Sequence, residues 1–289
     1  MDVFLPASLD EALEILAGRP EAVPIAGGTD LMVALNFRRL RPEAMLDLTR
    51  LPELREVRRS DDGVFVGAGV TYARIVRELR GVSTLVQASR TVGSPQIRAR
   101  GTVGGNLGTG SPAGDALPVL AVHDADIELV GAGGRRRSVP WHEFLLGPKR
   151  TARAPDELIL GARWRPIEGP GSFSKVGTRN AMVIAVASVC VQLDPATRTV
   201  RVALGSVAPT VVRAPEAEAY AAHALTDAGS WESPEGTLAD GALREFGELV
   251  AGAASPIDDV RGSADYRRHA LTVLARRALT WATSGEAAA

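Results

Sequence analysis

The residues that could do chemistry in this chain cluster around glycine. Of its 30 glycines, many stand in groups beside hydroxyl and carboxylate side chains. The first group is Ile25-Ala26-Gly27-Gly28-Thr29-Asp30-Leu31. A strand that ends in Ala-Gly-Gly can turn successive backbone amides outward with no Cβ in the way, and such amides form a nest for an anion. Thr29 adds a hydroxyl donor, so the group suits a diphosphate. The same glycine pair also suits an ordinary tight turn. No Gly-Lys-Ser/Thr follows, and there is no GxGxxG, so neither a nucleoside-triphosphate loop nor a doubly wound dinucleotide fold is indicated.

The second group is Gly101-Thr102-Val103-Gly104-Gly105-Asn106, extended by Gly108, Gly110 and the run Ser111 to Asp115. Two Gly-Gly turns facing one another would grip a single diphosphate from both sides. Asp115 is placed either to accept from sugar hydroxyls or to cap the helix beginning at ALPVLAV. Gly67 and Gly69 read as a packed turn.

Other chemistry is excluded by composition. The single cysteine, Cys190, rules out an internal disulfide and any iron–sulfur cluster held by this chain alone. It lies in the apolar run AVASVCVQL and reads as a small buried hydrophobe. His123, His142, His223 and His269 are isolated. Lys plus Arg is 33 against 34 for Asp plus Glu, a net charge of -1. That balance argues against nucleic acid as a partner. It also gives no strong steering field, so any protein contact should rest on shape and apolar burial. No apolar run approaches the roughly 20 residues of a membrane helix. The N-terminus shows no secretory signal, and the cytoplasm is the expected location.

Around these groups the pattern alternates between helix and strand. Residues 8–17 repeat apolar side chains at helical spacing, with Ser8 as N-cap and Glu11 three residues later. Short strands are expected in AVPI and MLDLT, then a strand, turn and strand through LREVRR and GVFVG, with a helix from about Thr71 and another through GVSTLVQASRTV. The stretch from Gly93 to Pro118 has little periodicity and predicts extended loop and turn. DADIELV and RRRSVPWHEFL predict the two strands of a hairpin around GAGG, followed by a short helical piece, and DELILGARWRP predicts a further strand. After EGPGS at 168–172, the segments SFSKVG, MVIAVASVCVQLD and TVRVALGSVAPTVVRA predict two or three antiparallel strands with a turn at Pro195 to Thr199. The Ala-rich remainder predicts helices at ALREFGELVAGAA and ADYRRHALTVLARRALTWA.

The order AGGTDL, TVGSPQIRARGTVGGNLGTGSPAGDALPVL, RTARAPDELIL and FSKVGTRNAMVIAVASV resembles the FAD-binding medium subunit of molybdenum hydroxylases, the family of carbon monoxide, xanthine and nicotinate dehydrogenases. The resemblance runs from about residue 3 to beyond 210. It implies an α+β chain in which a FAD-binding domain of two α/β subdomains, of the PCMH/vanillyl-alcohol-oxidase-like type, precedes a C-terminal domain with a small antiparallel sheet plus helices. The expected boundaries are 1–170, with subdomains of about 1–57 and 58–170, and 171–289, the flavin lying between the domains. By match, Ile25, Ala26, Gly27, Gly28, Thr29, Asp30, Leu31 and Met32, with Thr102, Val103, Gly104, Gly105 and Asn106, would hold the FAD diphosphate and ribityl chain. Asp115 and Lys175 match further flavin contacts, and Ile159 an apolar residue near the isoalloxazine. Phe173 matches either an aromatic over the ring or ordinary core.

The resemblance also implies partners: a small subunit with two [2Fe–2S] clusters and a large molybdopterin subunit, electrons passing from the clusters through FAD to NAD+, a quinone or another acceptor. The interface is expected in the glycine-rich segment after Asn106 and in the C-terminal domain. No catalytic acid or base and no metal ligand is nominated. The competing reading is a self-contained flavoprotein oxidase or dehydrogenase with its own organic substrate, against which stands an aromatic content of only 4%.

Overall fold

The computed structural model describes residues 1–60, 63–231 and 238–284. In chain order the elements begin β1 (Asp2–Phe4), α1 (Leu9–Gly18), β2 (Val23–Ile25), α2 (Leu31–Asn36), β3 (Ala44–Asp47), β4 (Val57–Ser60) and β5 (Gly63–Gly67). Five helices follow: α3 (Tyr72–Glu78), α4 (Ser83–Thr91), α5 (Pro95–Arg100), α6 (Val103–Thr109) and α7 (Ala116–Val122). Next come β6 (Asp126–Gly131), β7 (Arg136–Pro140), α8 (Trp141–Phe144), β8 (Leu145–Gly147), β9 (Arg150–Thr151) and β10 (Glu157–Trp164). The chain closes with β11 (Gly171–Val176), β12 (Ala187–Asp194), β13 (Thr199–Gly205), β14 (Val212–Arg213), α9 (Pro215–Asp227), α10 (Asp240–Gly252) and α11 (Ala264–Ser284).

These elements sort into two compact units. The first contains residues 1–75, 94–111 and 124–165; the second contains 76–93, 112–123 and 166–289. The first unit holds a parallel sheet in the order β1-β3-β2 and a five-stranded antiparallel sheet in the order β4-β5-β10-β6-β7. In α1 the Ser8 hydroxyl accepts from the Glu11 amide, as its spacing predicts, and Leu9, Ala12, Leu13 and Leu16 are buried. Arginines stand on the edge strands of the larger sheet, Arg58 and Arg59 on β4 and Arg136 and Arg137 on β7. Charge there opposes pairing with a further strand.

The second unit is built on an antiparallel sheet in the order β11-β12-β13-β14. Valines 189, 191, 200 and 202 of that sheet pack with Phe246, Val250, Leu271 and Leu279 of α10 and α11. Two segments far upstream, carrying α4 and α7, also pack in this unit. All seven residues of α7 are buried.

The stretch from Gly93 to Pro118, expected as loop, is mostly helical. Its helices are set by caps rather than by apolar periodicity. The Ser94 hydroxyl accepts from the Ile97 amide with Pro95 in the first turn, and the Thr102 hydroxyl accepts from the Gly105 amide. Gly110, at φ +55, closes α6 in the left-handed region. A second difference lies at 182–186, where the strand expected from Met182 begins only at Ala187. Met182 has φ +53, and Arg179 Nε donates to the carbonyls of Ala181 and Met182, so the segment is a tied loop. Helix α9 lies in the Ala-rich region ahead of the two helices that the sequence predicts there.

Candidate functional site

The first unit brings its two glycine groups together. Strand β2 delivers Ala26 and Gly27 against the end of α5, where a Cβ on Gly27 would lie 2.0 Å from the Arg100 carbonyl oxygen and 3.0 Å from the Gly101 nitrogen. Only glycine permits that approach. Gly28 follows at φ +75 and turns the chain into α2. Among the described residues, the backbone N–H groups of Gly27, Gly28, Thr29, Asp30 and Leu31 have no partner within the chain, although the segment from Gly27 to Thr29 is half-buried. Five consecutive unmet donors form an anion nest. Met32 is exposed beyond it, and its amide donates to the Gly28 carbonyl at 3.0 Å. Lys149 Nζ stands 3.9 Å from the Asp30 carboxylate.

The second group has a different geometry from the expectation of outward amides. Val103 N–H donates to Val70 O (3.1 Å), Gly104 N–H to Ala68 O (2.8 Å), and Asn106 N–H to Thr102 O (3.0 Å). Gly105 N–H donates to Thr102 Oγ1 at 3.0 Å. The first four amides of α6, and the Thr102 hydroxyl as acceptor, are therefore engaged inside the unit. What this group presents is space and an acceptor. A Cβ on Gly105 would meet only Thr102 Oγ1 within 4 Å, and Asn106 Oδ1 is a buried oxygen with no partner. Ile159 is buried in β10 beside a register shift, and a Cβ on Gly108 would touch its Cδ1 at 3.6 Å.

Asp115, Phe173 and Lys175 belong to the second unit. Asp115 makes no capping bond to α7. Its Oδ2 accepts from Lys175 Nζ at 2.6 Å and from Thr91 Oγ1 at 3.3 Å. Lys175 Nζ also donates to the carbonyls of Thr91 (2.9 Å) and Val183 (3.2 Å), which exhausts its three protons. Burial pushes the Asp115 carboxyl up, against the downward pull of the Lys175 ammonium and the Thr91 hydroxyl. Asp115 Oδ1 is buried with no partner. Phe173 is 3% exposed, and its amide donates to Gln87 Oε1 at 2.6 Å. Thr91 and Gln87 were not singled out from sequence; they stand on the polar side of a helix with nothing local to mark them. Cys190 is fully buried and burial drives its thiol upward, consistent with an inert core residue.

Comparison with known proteins identifies the family of the chain. Residues 1–163 match the family model for the FAD binding domain in molybdopterin dehydrogenase, and residues 172–282 match that for the CO dehydrogenase flavoprotein C-terminal domain. The chain belongs to the FAD-binding medium subunits of molybdenum hydroxylases. It is 32% identical to the glyceraldehyde dehydrogenase medium chain of Sulfolobus acidocaldarius, over 94% of each chain. It is 30% identical to the carbon monoxide dehydrogenase medium chain of Hydrogenophaga pseudoflava, over 96% of each. A chain of the crystallised Cu,Mo-CO dehydrogenase superposes with a TM-score of 0.86 at 26% identity, covering 98% of both chains.

Membership makes this an oxidoreductase subunit with FAD as its cofactor and the α+β fold expected from sequence. The residues fit that cofactor. A diphosphate needs clustered N–H donors, and the free amides of 27–31 are such a cluster; sugar and ribityl hydroxyls need acceptors, and Asn106 Oδ1 of the same unit is a buried oxygen without a partner. No described helix is long and apolar enough to cross a membrane.

Proposed function

We propose that this chain passes electrons from [2Fe–2S] clusters of a small subunit, through FAD, to NAD+, a quinone or another acceptor, in a cytoplasmic complex whose molybdopterin subunit oxidises the substrate. The observation that carries the FAD part is the run of five unmet amides from Gly27 to Leu31. When bound, FAD supplies the exchange of electrons between one-electron and two-electron partners.

The chain's own residues bind and orient. The amides of 27–31 and the Thr29 hydroxyl take the diphosphate, with Ile25, Ala26 and Met32 flanking it. Thr102, Val103 and Gly104 hold the first turn of α6 in place, and Gly105 leaves room above it. Asn106 Oδ1 and Asp115 Oδ1 accept from ligand hydroxyls, and the Lys175 ammonium keeps the Asp115 side chain in one orientation. Ile159 contributes apolar surface toward the ring. Phe173, at 3% exposure, acts through packing of the strand that carries Lys175. The expected division into 1–170 and 171–289 is retained for the functional roles of the two halves.

The test is purification of the full chain alone and with its partner subunits. Alone it should be yellow, reduce dyes with NADH at most, and hydroxylate no purine, aldehyde or N-heterocycle; the complex should carry molybdenum and iron. A hydroxylated or oxidised organic product from the single chain would instead establish a self-contained flavoprotein.

A further inference from the structure

The surface of the first unit carries a feature, α2 and the turn after it, of which the proposed cofactor site uses only the first two residues, Leu31 and Met32. None of the six residues of α2 is buried. Met32, Val33 and Phe37 are 44%, 48% and 69% exposed. The turn after the helix is basic: Arg38, Arg39 and Arg41 are exposed, and none has a carboxylate partner among the described residues. Arg39 lies over the Phe37 ring at 5.4 Å from its centroid, which holds that ring out on the surface. Arg38 keeps φ +57, a conformation that costs a side-chain-bearing residue free energy. The net charge of -1 hides this local excess of cation.

We propose that α2 and the turn Phe37–Arg41 are a docking surface for a protein partner whose contacting face is acidic around an apolar centre. This rests on the reading of the chain as one subunit of an electron-transfer complex. Exposed Met and Phe side chains beside arginines are the residue types enriched in protein interfaces. A second copy of this chain would set three arginines against three across a two-fold axis, so the complementary surface belongs to a different chain. An anionic membrane is disfavoured as well, because polybasic membrane segments carry about four to eight cations. The surface continues directly from the Gly27–Leu31 nest, so a partner seated on it touches the segment proposed to hold the cofactor.

The experiment measures binding of the full FAD-loaded chain to the purified iron–sulfur and molybdopterin subunits at about 50 and about 500 mM NaCl. Arg38→Glu/Arg39→Glu/Arg41→Glu should bind at least about tenfold more weakly at low salt and lose most of the salt dependence seen in the native chain. Phe37→Ser should weaken binding while keeping the salt dependence. Both should retain the native flavin-to-protein ratio, and Arg136→Glu, on the edge strand β7, should bind as the native chain. If the native chain binds and both variants match it, the docking surface is overturned and the subunit reading stands. Should the triple variant lose flavin, Phe37→Ser decides alone by the same criterion. If the native chain binds neither subunit at any salt, both are overturned. Sedimentation of the native chain, but not the triple variant, with vesicles of about one-third phosphatidylserine at about 150 mM salt would overturn the proposal in favour of a membrane surface.

Discussion

A Cβ on Gly104 would sit 2.4 Å from the Ala68 Cβ and 2.8 Å from its carbonyl oxygen, whereas one on Gly105 meets only a hydroxyl at 3.2 Å. Adjacent glycines in one motif therefore answer different demands. Gly104 lets α6 lie against β5's exit, and Gly105 leaves ligand space open over the helix. Gly104→Ala should cost about 1–3 kcal/mol by overpacking, seen as a lower urea midpoint, whatever its effect on flavin. Gly105→Val should keep the fold to within about 1 kcal/mol and purify with little FAD. A Gly105→Val protein with a full complement of flavin, read from its absorbance ratio, would remove the 102–106 segment from the site. Sequence alone could not separate the pair. It showed two glycines and a threonine, but which amides were already taken depended on Ala68 and Val70, more than 30 positions away.

Elements were legible where periodicity forms them and illegible where caps do. Helix α1 follows from apolar side chains at helical spacing on its one buried face, and β5, β6, β10 and β12 from short apolar runs, because β5, β10 and β12 are buried on both faces. Helices α5 and α6 bury little of themselves and are set by Ser94, Thr102 and Gly110, so a glycine-rich stretch read as loop. Helix α11 adds a long-range anchor that no spacing reveals. The buried Arg267 guanidinium donates to the carbonyls of Val186 and Ser206 and, at 2.7 Å, to Asp259 Oδ1, joining α11 to the entry of β12 and the exit of β13. Asp259 also accepts from Arg261 at 2.6 and 3.0 Å, and these guanidiniums, Arg261 first, bring its carboxyl down to about 2. A carboxyl whose folded value lies below its unfolded value, near ~3.9, stabilises the fold above that pH and loses the contribution as pH falls toward 2. The urea midpoint should therefore fall between about pH 5 and about pH 2.5 by more in the native chain than in Asp259→Asn. Parallel pH profiles would show that Asp259 is not linked to stability. At neutral pH Asp259→Asn should already be less stable, since Arg267 then stays buried without its counter-charge.

At the scale of the whole molecule, sequence and packing divide the chain differently. The two family models meet between residues 163 and 172, close to the division expected from EGPGS, yet the chain passes between the compact units five times. The linear division is legible because composition changes there. The packing is not, because α4 and α7 look like any other apolar helices until the sheet they cover is known. Leu85, Leu117, Val119, Leu120 and Val122 are each at most 3% exposed, within the unit built on β11–β14. At about 1.5–3 kcal/mol for each buried side chain, their removal costs on the order of 10 kcal/mol. That rivals the roughly 5–15 kcal/mol by which a whole domain is stable. A fragment of residues 171–289 contains the whole stretch that the C-terminal family model matches but lacks both helices, and it should fail to fold cooperatively. Circular dichroism and dye binding would show a broad melt and exposed apolar surface. A sharp transition within a few degrees of the full chain's would mean that α4 and α7 cover the sheet without holding it together.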